Sequence, residues 1–339
     1  MTLPMVHDPR PAVVESLPRS LYLETSNRCD SQCQTCVRTF RTVEPPQDLT
    51  LERVKGIVEQ FPRLDRVVLH GIGEPLLNRE IFEIVAYLKG RVATVVFNSD
   101  AISLTERRAE RLIDSGLDEY RVSMDAATRE TYRTIRGVDQ FDRVVGNVTR
   151  LVARARVRRR ATPRVSLWFT ASRVNLEELP AFVRLAAASG VAEVCAQRLV
   201  FNGLGLATEA NSLHARLQAR ERSLLEEAEA LARGLGVALT ASGLTTPLAS
   251  LSGTTASTRH WAGCQRPWTL SYVTANGNVL PCCISPWVAR DYEGLILGNA
   301  LAQPFTEIWN GERYRRFRSD FESENAPDPC RGCGLRWSI

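Results

Sequence analysis

Short apolar segments alternate with amphipathic segments from Leu21 to about Phe201. This alternation is typical of repeated βα units, in which buried parallel strands are each followed by a helix that covers the sheet. It predicts an α/β fold with six strands, at Leu21–Thr25, Arg66–His70, Thr94–Asn98, Glu119–Met124, Val165–Thr170 and Glu193–Leu199. The predicted helices between them are Leu51–Phe61, Arg79–Leu88, Glu106–Ser115, Phe141–Ala155 and Asn175–Ala188.

The rest of the chain follows a different pattern. Ser212–Gly234 places leucines at helical spacing and predicts one long amphipathic helix that ends at Gly234 and Gly236. Thr240–Thr258 is rich in Ser, Thr, Gly and Leu, which predicts a loop or lid. The predicted organisation is therefore an N-terminal extension, a βα domain, a connector and a cysteine-rich unit, at residues 1–20, 21–205, 206–260 and 261–339.

Composition and charge narrow the class of protein. Hydrophobic residues make up 44% of the chain and charged residues 24%, the balance of a globular protein. No apolar stretch is long enough to span a bilayer, and the N-terminus lacks the apolar centre of a signal peptide, so we expect a cytoplasmic protein without a membrane partner. The arginine-rich run Arg150–Arg164 has no interleaved aromatic residues, which favours a solvated helix end over a nucleic-acid contact.

Nine cysteines in a cytosolic protein indicate metal ligation or catalysis rather than disulfides. Cys29, Cys33 and Cys36 follow the first predicted strand, at the carboxyl end of the sheet where α/β barrels build active sites. A Cys-x3-Cys-x2-Cys loop can bind three corners of an iron–sulfur cube and leave one iron without a protein ligand. Structural zinc with His70 as a fourth ligand is the alternative, which three thiolates at this spacing disfavour.

The cysteine loop resembles the signature of the radical S-adenosylmethionine (SAM) superfamily. The resemblance implies a partial (β/α)6 TIM-like barrel in which the three cysteines hold a [4Fe-4S] cluster. The open iron of that cluster chelates the amino and carboxylate groups of SAM, and cleavage of SAM releases a 5'-deoxyadenosyl radical. The loop departs from the family at Thr35, where an aromatic residue is frequent, and this affects a contact to the adenine rather than the cluster.

Later strand ends add to this resemblance. The segment His70–Pro75 is similar to the family's Gly-Gly-Glu-Pro motif, which implies that Gly73 and Glu74 hold the SAM ammonium group. By the same resemblance, the remaining SAM contacts are Asn98 near the cluster or adenosyl group, Ser123 and Arg136 at the carboxylate, and Asn175 at the ribose. Asp125 belongs to the same segment as Ser123, and capping of the following helix is an equal alternative for it.

Five further cysteines lie in the last block of the chain, namely Cys264, Cys282, Cys283, Cys330 and Cys333. Asn276-Gly277-Asn278 predicts a β-hairpin between Leu270–Thr274 and Val279–Leu280 that brings Cys264 and Cys282 together. On spacing alone, a zinc ribbon and an iron–sulfur site are equally compatible.

The order of these cysteines resembles the SPASM extension of radical SAM enzymes in its shortened, twitch form. This implies a C-terminal twitch domain with one auxiliary [4Fe-4S] cluster, bound by Cys264, Cys282, Cys330 and Cys333. Cys283 is then either a hydrogen-atom donor to a substrate radical or a buried packing thiol.

The twitch form resembles enzymes of antibiotic biosynthesis that act on sugars, aminocyclitols and sugar nucleosides, including cytosylglucuronate decarboxylases. We therefore expect decarboxylation of a uronic-acid nucleoside, with Arg198 at the substrate carboxylate and Glu24, His70 and Cys283 as further catalytic candidates. The alternatives are a sugar dehydrogenase, dehydratase or epimerase, and a peptide-modifying SPASM enzyme.

An electron donor such as flavodoxin or ferredoxin is the expected partner. An electron carrier or a zinc-stabilised binding protein would explain the cysteines but not the ordered SAM motifs.

Overall fold

The computed structural model describes residues 10–252, 261–288, 290–331 and 333. One sheet with the strand order β10-β9-β8-β1-β2-β3-β4-β5-β6-β7 lies at its centre. The strands are β1 Ser20–Leu23, β2 Arg66–Leu69, β3 Thr94–Ser99, β4 Glu119–Ser123, β5 Arg164–Ala171, β6 Glu193–Arg198, β7 Ala238–Ala241, β8 Leu270–Val273, β9 Asn278–Leu280 and β10 Gly298–Asn299. Strands β1 to β7 pair in chain order and are all parallel, so their carboxyl ends lie at one edge.

Helices α1 to α8 lie between successive strands of the parallel part, and α9 to α14 follow β7. The helices are α1 Val37–Phe40, α2 Leu51–Val58, α3 Ile81–Lys89, α4 Glu106–Asp114, α5 Arg129–Arg136, α6 Phe141–Val157, α7 Leu179–Ala188, α8 Ala219–Leu235, α9 Pro247–Leu251, α10 Arg266–Thr269, α11 Ser285–Val288, α12 Phe305–Trp309, α13 Glu312–Glu322 and α14 Asp328–Arg331. Thr50, Thr105 and Thr128 start α2, α4 and α5, because each side chain accepts a hydrogen bond from the amide three residues later.

The parallel strands are buried because helices cover them. Val67, Leu69, Val95 and Phe97 have no exposed surface and form part of one continuous hydrophobic core. The α/β partial barrel and its six predicted strands are confirmed, with strand ends within two residues of the predicted ones. The five predicted helices between the strands are also present.

The cysteine-rich unit joins the same sheet. Strand β8 pairs in parallel with β1, and Leu23 lies opposite Val273. Strands β9 and β10 continue the sheet in the antiparallel direction. Gly277 turns the chain between β8 and β9 with a φ of +85°, a conformation that favours glycine. The predicted hairpin is therefore confirmed, and it lies directly beside the strand that leads into the first cysteine loop.

Two predictions between residues 206 and 260 are corrected by the structure. The helix predicted from Ser212 begins only at Ala219, because Leu213 and His214 are buried in a preceding irregular segment. The predicted loop Thr240–Thr258 begins within β7, which adds a seventh parallel strand, and also contains α9. Its last residues, from 253 onward, lie outside the described part of the chain.

The arginine-rich run lies at the end of α6. Arg154 and Arg158 form ion pairs with Glu106, Glu110 and Asp114 of α4. These contacts give the arginines partners within the protein, consistent with a solvated helix face. Within the described ranges, no helix has the length and apolar character needed to cross a membrane.

Candidate active site

The three cysteines of the first loop lie around one cavity at the carboxyl edge of the parallel strands. Cys29, Cys33 and Cys36 all line this cavity, and their thiols form no disulfide. Burial, together with the neighbouring Cys33, raises the pKa of Cys36 to about 12. Burial also raises the pKa values of Cys29 and Cys33. Adjacent buried thiolates need a cationic centre to neutralise them, so this donor set fits an iron–sulfur cluster.

Three glycines hold the backbone of this loop in place. A Cβ atom at Gly73 would lie 2.1 Å from the carbonyl oxygen of Ser26, and one at Gly137 would lie 2.2 Å from that of Gln32. A Cβ atom at Gly205 would lie 2.4 Å from the carbonyl oxygen of Gln34. These distances are too short for any side chain, so three separate segments approach the loop as closely as glycine alone permits. Gly73 contacts the residues just before Cys29, whereas Gly137 and Gly205 contact residues that lie between the cysteines.

Glu74 lies beside this loop and is almost completely buried, with 2% of its surface exposed. Its Oε1 accepts hydrogen bonds from the amide of Leu76 and the hydroxyl of Ser99, at 2.9 and 2.8 Å. Its Oε2 accepts a hydrogen bond from the amide of Asp100, at 2.7 Å. The carboxylate thus links the loop after β2 to the end of β3.

Arg136 lines the cavity from the last turn of α5. Its Nη1 lies 3.0 Å from Oδ2 of Asp125, and its Nε has no hydrogen-bond partner among the described residues. The same is true of Oδ1 of Asn98 and Oγ of Ser31, which also line the cavity. Buried polar atoms are rarely left without a partner, so this set fits a polar ligand such as SAM. Ser123 lines the cavity beside them.

The second group of cysteines lies beyond β9. Burial, together with the neighbouring Cys282, Cys264 and Cys333, raises the pKa of Cys330. These thiols therefore lie near one another as one group, and such a donor set fits a cationic metal centre.

Comparison with known proteins agrees with both cysteine groups. The family model described as the radical SAM superfamily matches residues 23–186, and the SPASM model, described as an iron–sulfur cluster-binding domain, matches residues 264–334. The chain belongs to the SPASM-containing radical SAM enzymes. Its cofactors are therefore SAM and [4Fe-4S] clusters, in the barrel and in the SPASM domain.

This radical SAM enzyme has relatives with varied activities. The AdoMet-dependent heme synthase of Methanosarcina barkeri is 26% identical over 94% of this chain and 92% of its own length. The PqqA peptide cyclase of Gluconobacter oxydans is 26% identical over 94% of this chain and 83% of its own length. Among solved structures, Streptococcus suis SuiB bound to S-adenosylmethionine has a TM-score of 0.69 at 16% identity, over 90% of this chain and 68% of SuiB. This structural likeness supports the fold of the radical SAM barrel with its SPASM domain.

Two predicted site residues of the radical SAM enzyme are committed to structural contacts. Asn175 donates to the carbonyl oxygens of Asp125 and Thr170, and its own oxygen accepts from Ser172. The carboxylate of Glu24 accepts hydrogen bonds from the amides of Ile72 and Ala275 and from the hydroxyl of Tyr272. Neither residue is among the described residues that line the cavity, so the ribose contact of Asn175 and the catalytic role of Glu24 remain predictions.

His70 and Arg198 do reach the cavity of the radical SAM enzyme. Burial, with a contribution from Arg121, lowers the pKa of His70 to about 4, so the ring is neutral at neutral pH. The ring stacks on Trp287, with centroids 6.4 Å apart and planes 13° apart. Arg198 donates from Nε to the hydroxyl of Ser250 and from Nη2 to its carbonyl oxygen, at 3.1 and 2.6 Å.

Cys283 is placed differently from the four clustered thiols of the SPASM domain. It is 5% exposed, packs in the hydrophobic core and is not among the described residues that line the cavity, whereas its neighbour Ile284 is. Burial raises the pKa of its thiol to about 11. A hydrogen-atom donor must reach the substrate, so the packing role is the one that this position supports.

Sequence reasoning overlooked several cavity residues. Trp168 of β5 and Trp287 of α11 form aromatic walls, and Asp100 lies at the end of β3. Asp100 immediately follows Asn98 and Ser99, so its position at a strand end was the available signal. Trp287 carried no local signal, because it reaches the cavity only through the packing of the SPASM domain against the barrel.

Proposed function

We propose that Cys29, Cys33 and Cys36 hold the SAM-binding cluster and that Cys264, Cys282, Cys330 and Cys333 hold an auxiliary cluster. The observation that carries this proposal is the placement of two separate groups of buried or half-buried cysteines, none of them in a disulfide, with one group around the cavity. When bound, the first cluster supplies an electron that cleaves SAM to a 5'-deoxyadenosyl radical, which abstracts a hydrogen atom from the substrate.

The chain's own residues would bind and orient SAM in this cavity. The free Nε–H of Arg136 is a charge-assisted donor suited to the SAM carboxylate, while Asp125 fixes the guanidinium through Nη1. Asn98 and Ser123 offer uncharged hydrogen-bonding groups beside it. Burial of these groups excludes water, which strengthens each interaction and protects a reactive radical from solvent.

The part of the cavity formed by β5, β6 and the SPASM domain would receive the substrate. Its lining includes the apolar residues Trp168, Leu199, Val200, Ile284 and Trp287 beside the polar residues Thr170, Gln197 and Arg198. The apolar part suits an apolar or aromatic side chain, and the polar residues can hold a neighbouring backbone or polar group. We propose that the substrate is a peptide, one side chain of which enters this chamber. The relative named PqqA peptide cyclase and the solved structure of SuiB bound to precursor peptide SuiA agree with this class.

Arg198 favours a second candidate, the decarboxylation of a uronic-acid nucleoside. Its guanidinium lies at the cavity wall, and α9 holds it there through Ser250. A carboxylate of the substrate would be its natural partner, and a nucleobase could stack on Trp287. This candidate keeps the small-molecule substrate and the lyase activity expected from the sequence.

Hydrogen transfer distinguishes the two candidates. Reduced enzyme and SAM are incubated anaerobically with a heat-treated, uniformly deuterated cell extract that has been separated into peptide and nucleoside fractions. Deuterium in 5'-deoxyadenosine, measured by mass spectrometry, should follow the peptide fraction. Transfer from the nucleoside fraction alone would overturn the peptide proposal and support the second candidate.

A variant pair tests the chamber itself. Trp287→Ala should reduce deuterium transfer at least tenfold and leave uncoupled SAM cleavage intact. Trp268→Ala is the matched control, because Trp268 packs against Phe321 and is not among the described residues that line the cavity. Equal transfer by the two variants would contradict the proposed substrate chamber.

A further inference from the structure

Glu44 lies on the segment between α1 and α2, and its carboxylate accepts hydrogen bonds from four side chains of the SPASM domain. Oε1 accepts from the hydroxyls of Thr274 and Tyr292, at 3.2 and 2.7 Å. It also accepts from the side-chain amide of Asn278, at 2.8 Å. Oε2 accepts from the side-chain amide of Asn276, at 2.8 Å. One carboxylate of the barrel therefore holds the turn between β8 and β9 at both of its ends.

The same segment is tied to the residues that lead into the first cysteine loop. Asn27, just before Cys29, donates from Nδ2 to the carbonyl oxygen of Pro45 at 2.9 Å. Its Oδ1 accepts a hydrogen bond from the amide of Gln47 at 2.7 Å. The carbonyl oxygen of Pro45 also accepts from Asn276 at 3.1 Å. The SPASM turn and the approach to the cysteine loop thus share one acceptor.

A second carboxyl group of the barrel holds the same turn. Glu24 accepts hydrogen bonds from the hydroxyl of Tyr272 and the amide of Ala275, both at 3.1 Å. Glu24 precedes the cysteine loop in the chain, and Glu44 follows it. Charge-assisted hydrogen bonds are stronger than neutral ones, and a connected network of them fixes the relative position of its members. The turn is therefore held from both sides of the loop.

We propose that Glu44 is a positioning residue that makes the shape of the first cysteine loop, and with it SAM binding, depend on the SPASM turn. Glu44 is not among the described residues that line the cavity, so it acts through the segment that holds Asn27. The proposal rests on the assignment of the SAM-binding cluster to Cys29, Cys33 and Cys36. It is independent of the substrate.

An exchange of donor and acceptor tests this contact. Glu44→Gln places an amide group against Nδ2 of Asn276, and Asn276→Asp places a carboxylate against that of Glu44. The double variant Glu44→Gln/Asn276→Asp again pairs one donor with one acceptor. Each single variant should weaken SAM binding about tenfold, and the double variant should return to within about threefold of the wild type.

The measurements are made on anaerobically reconstituted enzyme that retains both cysteine groups. SAM affinity is obtained by equilibrium dialysis, and the shape of the first site is followed by the change that SAM causes in the EPR spectrum of the reduced cluster. Asn310→Ala is the matched control, because it removes two hydrogen bonds of the SPASM domain to the backbone of Val14. It should lower the Tm but leave SAM affinity and the EPR change as in the wild type.

Two results would overturn the role of Glu44. One is wild-type SAM affinity and EPR change in Glu44→Gln with full iron content. The other is a double variant that binds SAM no better than the weaker single variant. If Glu44→Gln loses iron, recovery of iron in the double variant is the same rescue, and its absence refutes the proposal. An EPR change that survives replacement of Cys29, Cys33 and Cys36 would instead refute the cluster assignment, and the proposal with it.

Discussion

Arg136 and Asp125 form an ion pair that is almost completely buried: Nη1 of Arg136 lies 3.0 Å from Oδ2 of Asp125, and their side chains are 8% and 5% exposed. Oδ1 of Asp125 also accepts a hydrogen bond from the amide of Thr170 at 2.7 Å. The pair therefore links the end of α5 to β5, on which Trp168 stands. The guanidinium of Arg136, which we propose binds SAM, is thereby held by β5, the strand that forms one wall of the proposed substrate chamber.

Breaking this pair should affect both stability and cofactor binding. Arg136→Ala leaves the carboxylate of Asp125 buried without a counter-charge, which typically costs about 3–5 kcal/mol, so the Tm should fall. SAM binding should weaken as well. The double variant Arg136→Ala/Asp125→Asn should recover part of the Tm, measured by scanning calorimetry, but not SAM affinity. Recovery of SAM binding in the double variant would contradict a direct role of Arg136.

The two cysteine groups predict separable iron contents. Anaerobically reconstituted protein should hold about eight iron ions per chain, as two [4Fe-4S] clusters. Replacement of Cys29, Cys33 and Cys36 by Ala should leave about four and abolish SAM cleavage. Replacement of Cys264 and Cys282 should also leave about four, whereas Cys283→Ala should leave eight, because Cys283 packs in the core. Stoichiometric zinc in the SPASM domain would refute the auxiliary cluster.

Gly137 offers a test of how the first loop is held. Gly137→Ala places a Cβ atom 2.2 Å from the carbonyl oxygen of Gln32 at a φ of +70°, so the loop must move. We expect loss of the SAM-binding cluster's iron with retention of the auxiliary cluster, measured by EPR and iron analysis. Gly146→Ala in α6 is the matched control, since nothing lies within 4 Å of its Cβ, and it should stabilise the protein by about 0.5–1 kcal/mol. Equal cluster content in the two variants would refute the steric argument.

Glu24 should make stability depend on pH. Burial raises the pKa of this carboxyl from 4.5 to about 7. Between these values the unfolded state binds fewer protons than the native state, so the free energy of unfolding falls as the pH rises, by about 3 kcal/mol in total. Glu24→Gln should lack this decrease between pH 4.5 and 8, measured by urea unfolding, while the exposed control Glu227→Gln should retain it. An unchanged pH dependence in Glu24→Gln would show that the carboxyl is ionised in the native state.

The parallel core was predictable from the sequence because its signals are local. Each strand from β1 to β6 is an apolar run followed by an amphipathic helix, and this periodicity needs no knowledge of distant residues. Strand β7 was missed because Ala238–Ala241 lies next to a segment of small polar residues. The pairing of β8 with β1 joins residues about 250 positions apart, and no local pattern encodes it.

The site was predictable in outline for a similar reason. Motif spacing located Cys29, Glu74 and Arg136 at one edge of the sheet, and all three line the cavity. Spacing does not reveal how many hydrogen bonds a side chain already makes. That is why the sequence could not show that Asn175 bonds to Asp125, Thr170 and Ser172, or that Asp100 lines the cavity.

The position of β1 between β2 and β8 has a consequence for electron transfer. The chain passes from β1 into the loop of Cys29, and from the hairpin of β8 and β9 into Cys282, while Leu23 and Val273 lie opposite each other in the ladder between them. Backbone hydrogen bonds thus hold the strands that lead to Cys29 and Cys282 side by side in one sheet. Because these strands belong to one sheet, the distance over which an electron would tunnel between the two iron–sulfur clusters should change little. The rate of electron exchange between the clusters would then depend on the difference in their reduction potentials rather than on domain closure.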